Sequence, residues 1–302
     1  MRRKTEGRRV VALLRAISVR RSGAAAALLL TLTTPVLAWT PASQRRIAEA
    51  AARLAPPDLY RQLARHRGSY LRGATDPFQE GRPEHHFANG DGVGRLDGVI
   101  VQAVANAVAA IRDHRPFQEI AWRSGVVSHY LADANNPLNS ADSDPEEERY
   151  FADFLRYLES VEPRVQLLFY GFRPGLDGPG LDGPGLDGLG PDGPGLPRLV
   201  EETLARSREL YPLVGREYRR VGFAPGLEAF DDRSTAYAVA SLAYSHAVSD
   251  IAEVLRYIWI AAGGIDSRDR VPRRGAQVVR LPRARSAEAA SDEPPRPRDP
   301  QP

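Results

Sequence analysis

Cysteine is absent from all 302 residues. That absence excludes a disulfide framework, a thiol nucleophile and a thiolate metal site together. Any metal ion must be held by His, Asp, Glu, backbone or water, and with imidazole prominent that donor set suits zinc or a similar first-row ion. Long apolar runs are scarce too. None beyond the N-terminal region approaches the ~20 residues that a membrane-spanning helix requires. Nor is there a broad basic surface, although the formal charge is +3. Residues 1–38 hold eight Lys/Arg against one acid, which leaves 33 bases and 37 acids, a net of −4, on the rest. Bulk charge therefore gives no support for a nucleic-acid partner. The composition, 42% hydrophobic and 26% charged, suits a globular chain with one main domain.

The first 38 residues have the three parts of a secretion signal. Arg2, Arg3, Lys4, Arg8, Arg9, Arg15, Arg20 and Arg21 supply the charge, residues 24–37 are apolar, and Val36, Leu37 and Ala38 form a small-residue cleavage pattern. Cleavage between Ala38 and Trp39 would make Trp39 the first mature residue and export the chain to a secreted or periplasmic location. The short apolar run argues against an uncleaved anchor. The surroundings of Arg20-Arg21 match a twin-arginine signal poorly, which favours general secretion.

From Pro41 onward, apolar residues recur at helical spacing and Pro or Gly clusters punctuate them. Helices are predicted at about 41–54, 57–68, 96–113, 116–135, 146–160, 198–219 and 234–262, with no convincing strand. The expected fold class is all-α, a compact multi-helix bundle spanning residues 39–265. Residues 174–197 repeat Gly-Leu-Asp-Gly-Pro and read as a flexible insert within that bundle, not a collagen-like or calcium-binding repeat. Residues 266–302 read as a disordered tail rich in Arg, Pro and Ala.

The strongest chemical signal is Ser128-His129-Tyr130-Leu131-Ala132-Asp133, in a predicted helix and followed by Asn135-Asn136-Pro137-Leu138-Asn139. A spacing of four puts His129 and Asp133 on one face, one turn apart, where both can reach one ion. Alone, such a pair is more often a hydrogen-bonded couple than a ligand pair. Upstream, Asp76 and the pair His85-His86 lie in a stretch rich in Gly, Pro and polar residues. Two imidazoles and two carboxylates from three segments make a normal zinc complement. His246 and Asp250 repeat the four-residue spacing within a strongly apolar helix, and read as a packed core pair. Asp142, Asp144, Glu146, Glu147 and Glu148 read as a solvated helix N-terminus. His66 and His114 read as surface residues. No phosphate-binding glycine loop, nucleophile elbow or His-Glu-x-x-His motif competes.

Taken in order, Ala38-Trp39 at a cleavage site, Gly73-Ala74-Thr75-Asp76, His86-Phe87, and the His129 motif followed by Pro137 resemble the bacterial zinc-dependent phospholipase C family. That family shares its fold with the fungal single-strand-specific zinc nucleases. The resemblance runs over roughly residues 39–160. It implies a helical bundle with a three-zinc centre. Asp76, His86, His129 and Asp133 would hold one zinc, and Asp133 would also reach a second ion bound by the backbone amine and carbonyl of Trp39. It further implies Asp76 and Asp133 as catalytic carboxylates and a phospholipid or other phosphate ester as substrate.

Four positions depart from the family pattern. Gln44 and Asn139 stand where histidines are expected, and Arg149 with Asp153 aligns loosely with a further histidine and glutamate. One complete zinc site is expected to survive, with a second open at Trp39, Gln44 and Asp133. Three functional readings follow: an exported zinc-dependent phosphoesterase, a secreted metal-binding protein that kept the fold but not catalysis, and, last, a nuclease.

Overall fold

Prolines and hydroxyl caps set where the helices begin. Pro41 opens α1 (Pro41–Leu54), where the Thr40 hydroxyl accepts the Ser43 backbone N–H at 3.2 Å. Pro57 likewise opens α2 (Pro57–Arg65). The computed structural model describes residues 39–88, 94–172 and 195–265, with the backbone of Gln277–Val278. The expected secretion signal, the Asp-bearing part of the repeat insert (174–194) and nearly all of the tail lie outside the described residues.

After α2 come α3 (Arg67–Gly73), single 3-10 turns at Asp76–Gln79 and Pro83–His85, α4 (Leu96–Arg112) and α5 (Phe117–Ala134). Turns at Pro137–Asn139 and Glu147–Arg149 lead to α6 (Phe151–Val161), and another at Glu162–Arg164 leads to β1 (Leu168–Phe169). The chain closes with α7 (Gly195–Arg220), α8 (Gly226–Ala229), α9 (Thr235–Ala261) and β2 (Gln277–Val278). The fold is all-α, as its apolar periodicity predicts.

Three boundaries differ from the sequence reading. The predicted helix at 57–68 breaks at His66 (φ −107°, ψ 31°) and resumes as α3. The acidic stretch before Phe151 forms a 3-10 turn, so α6 starts later than expected. Two residues of the expected disordered tail, Gln277 and Val278, pair antiparallel with Phe169 and Leu168. No helix among the described residues is long and apolar enough to cross a membrane.

α5 and α9 occupy the middle of the bundle. α5 packs against α1, α3, α4, α7 and α9, and α9 against α1, α4, α5 and α7. A helix surrounded in this way buries every face. From Val127 to Ala134, every residue of α5 is buried. Full burial of a side chain such as Val127 or Leu131 contributes about 1.5–3 kcal/mol each. Polar residues on α5 gain nothing from that environment unless they find partners. His129 and Asp133 are both 0% exposed, so their partners decide whether the centre of this bundle is tolerable.

Candidate metal centre

The site begins with two residues that have no side chain. Gly73 at the end of α3 and Gly125 in α5 let the two backbones touch. A Cβ on Gly73 would stand 2.0 Å from the Trp122 carbonyl oxygen, and one on Gly125 would stand 2.0 Å from the Tyr70 carbonyl oxygen. His129 follows Gly125 by four residues and so faces α3 as well. The close approach delivers the Ala74 carbonyl to His129, whose Nδ1 donates to it at 2.9 Å. Tyr70 and Ser128 join their hydroxyls at 2.9 Å along the same seam.

With Nδ1 committed to Ala74, the His129 Nε2 is directed inward. It lies 3.2 Å from Asp133 Oδ2 and 3.2 Å from His86 Nδ1, while His86 Nδ1 lies 2.7 Å from the same Oδ2. Four zinc ligands at ~2.0–2.2 Å in a tetrahedron stand roughly 3.3–3.5 Å apart. The three atoms therefore fit three corners of such a site with a small expansion. His86, His129 and Asp133 could hold a metal ion.

The electrostatics ask for a cation. Asp133 is buried at the C-terminal end of α5, where the last carbonyls already carry partial negative charge. Burial raises the Asp133 pKa, but the His129 charge and hydrogen bonds from His129 and His86 outweigh it and hold the carboxyl below its ordinary range. Burial lowers the His86 pKa, and the Asp133 bond and charge, with Glu80 and the Pro77 backbone, reverse this and raise it. Orientation of a ligating imidazole by a carbonyl, as Ala74 orients His129, is typical of metal-binding histidine.

Around this trio the remaining predicted residues fall into place differently. Trp39 is buried, and its indole N–H donates to the Ala132 carbonyl at 2.9 Å, bracing the turn of α5 that carries Asp133. Asp76 stands outside the converging group, its Oδ2 accepting the Trp122 indole N–H at 2.7 Å. The turn it opens nevertheless serves the site, because Phe78 packs edge-on against His129 with centroids 4.5 Å apart. Tyr130 closes the other side, 5.1 Å from His129 and 5.7 Å from His86, and its hydroxyl donates to Glu80 at 3.0 Å.

Two of the departing positions, Gln44 and Asn139, are amides that grip site residues. Gln44 Nε2 donates to Asp133 Oδ1 at 2.8 Å. Asn139 Nδ2 donates to the His86 backbone carbonyl at 2.8 Å, and the Asn139 carbonyl accepts the Ala88 N–H at 2.8 Å. Ala74, Phe78 and Trp122 gave no signal in the sequence, since their contribution is a carbonyl position, an edge contact and a hydrogen bond to a carboxylate.

The other polar groups are elsewhere. Asp250 accepts Asn135 Nδ2 and Thr203 Oγ1, each at 3.1 Å, and pairs with Arg206. His246 packs on the Tyr170 ring at 4.8 Å. Asp144 pairs with Arg219, and Arg149 lies over the Phe223 ring, 3.4 Å from its centroid. His66 stacks on Phe117 and His114 is exposed.

No protein-family model matches the chain, and a search of curated proteins finds no match. The fold does match a solved structure, that of Clostridium perfringens alpha-toxin isolated from avian strain SWCP. The TM-score is 0.52 at 12% sequence identity, over 78% of this chain and 66% of that one. At that identity the likeness is one of fold alone.

Proposed function

We propose that the chain is an exported, zinc-dependent phosphoesterase acting on phospholipids or other phosphate esters. The observation that carries this reading is the convergence of His86 Nδ1, His129 Nε2 and Asp133 Oδ2 on one point in the bundle core. The ordered sequence resemblance to zinc-dependent phospholipases C and the fold likeness support it.

A bound zinc would polarise a phosphoryl oxygen and bring the pKa of its water toward ~7. The protein's contribution is placement. Ala74 fixes the His129 tautomer, Gln44 turns Asp133 so that Oδ2 faces the imidazoles, and Phe78 and Tyr130 screen the centre from water. We assign Asp76 as the fourth ligand. Its neighbours Pro77 and Phe78 both touch the site imidazoles, and its carboxylate accepts the Trp122 indole N–H, which would orient it as a ligand.

Burial favours a second reading. His129 and Asp133 are fully buried and His86 is only 7% exposed, which also suits a structural ion in a protein without catalysis. Metal analysis of the purified mature chain, with hydrolysis assays on phosphatidylcholine, a generic phosphodiester and single-stranded DNA, separates the readings. The phosphoesterase reading expects bound zinc and turnover of one of the first two substrates, lost in His129→Ala. Tightly held zinc with no turnover on any substrate would sink it and leave the structural ion. Turnover confined to DNA would make the chain a nuclease.

A further inference from the structure

We infer that the centre takes one metal ion and that Gln44 is the positioning residue that aims Asp133 at it. The inference rests on the metal-centre reading above and concerns how many ions that centre holds. Asp133 has two carboxylate oxygens, and they face different partners. Oδ2 faces His86 and His129, at 2.7 and 3.2 Å. Oδ1 accepts the Gln44 amide N–H at 2.8 Å, so a donor with partial positive charge occupies the side from which a second ion would share the carboxylate. Gln44 is 1% exposed and its Nε2 also leans toward the His129 carbonyl at 3.5 Å, which holds the amide in that orientation.

Charge balance points the same way. Asp133 and the proposed ligand Asp76 together offer two negative charges, which one divalent ion neutralises, while Glu80, the other carboxylate whose charge reaches His86, is bound by the Tyr130 hydroxyl. A second would leave two uncompensated positive charges in a core where His129 and Asp133 have no contact with solvent. Nearby neutral groups cannot supply the difference. The Gln44 Oε1 and Asn139 Oδ1 atoms are buried without a partner, but amide oxygens bring no charge. Asn139 is moreover committed through Nδ2 to the carbonyl of His86. Gln44 and Asn139 thus support residues of a single-ion centre.

The test is zinc stoichiometry and affinity on the full mature chain, measured by elemental analysis after equilibrium dialysis and by calorimetric titration. The inference expects one zinc per chain at saturation. It also expects Gln44→Ala to keep that stoichiometry with affinity weakened about 10- to 100-fold, the usual cost of removing a group that orients a ligand. Two ions per chain would overturn it and assign the orphaned amide oxygens as ligands. Unchanged affinity in a folded Gln44→Ala chain would overturn the role of Gln44. Should that variant fail to fold, cobalt titration of the wild-type chain decides, since a magnetically coupled pair would exclude a single ion. No binding by the wild-type chain is a different outcome, which removes the metal-centre reading itself.

Discussion

At the scale of single residues, the centre depends on groups that hold ligands as much as on the ligands. Asn139 is a clear case, because its amide ties the segment 86–88 to the turn after α5. Asn139→Ala leaves the His86 carbonyl without its buried donor, and the expected loss is about 1–3 kcal/mol in chemical denaturation, with weaker zinc binding. A second residue-scale prediction concerns Glu147. Burial pushes its carboxyl up to about 7, with Asp144 and Asp142 adding to the rise and the Tyr211 hydroxyl opposing it. Between its ordinary value of 4.5 and about 7, the folded protein keeps a proton that the unfolded chain releases. Its contribution to stability is therefore full below pH 4.5 and lost as pH rises through 7. Melting curves at pH 5 and pH 8 should show a smaller difference for Glu147→Gln than for wild type. The residue types of this site were legible in the sequence as far as His86, His129 and Asp133, which carry metal-ligating atoms at readable spacings. The contact of Asp76 with Trp122 was not legible, because nothing in either residue's local sequence specifies a partner 46 positions away.

At the scale of elements, the deciding contact is that of α3 with α5. Gly125→Ala would force a methyl carbon to within 2.0 Å of the Tyr70 carbonyl oxygen, so the helices must separate and the Ala74 carbonyl must move off His129. Overpacking of this kind costs about 1–3 kcal/mol and here extends to zinc affinity. Gly68, on the exposed side of α3, has nothing within 4 Å of its would-be Cβ. Gly68→Ala should stabilise by about 0.5–1 kcal/mol, and the pair of thermal melts distinguishes packing from helix propensity. Helix extents were largely readable, since α1, α4, α5 and α9 carry apolar periodicity between clear stops. The break at His66 was not, because the arginine-rich stretch around it keeps helical propensity across the interruption. The tight approach of two helices is likewise invisible in either glycine's own neighbourhood.

At the scale of the whole molecule, a buried polar knot joins the central helices. Asp250 on α9 accepts from Asn135 at the end of α5 and from Thr203 on α7, and pairs with Arg206. Asp250→Ala would leave the partly exposed Arg206 guanidinium only the Asn135 oxygen and deprive Asn135 and Thr203 of their buried acceptor, and urea unfolding should show a loss of about 1–3 kcal/mol. A metal ion at the proposed centre would link α5 to the loop that carries His86. Zinc at 100 times its dissociation constant adds about 2.7 kcal/mol to the folded state, so chelation should lower the melting temperature of wild type and leave His129→Ala nearly unmoved. The all-α architecture followed from the sequence pattern as a whole. The burial of His129 and Asp133 did not, because it depends on how many helices surround α5.

The contact between Gly73 and Gly125 bears on how such centres persist through descent. Alanine, the smallest chiral alternative, already places a carbon far inside van der Waals contact with a carbonyl oxygen at either position. Any chain that keeps this imidazole aligned against the Ala74 carbonyl must then keep both glycines, 52 positions apart, whatever side chains stand at 44 and 139.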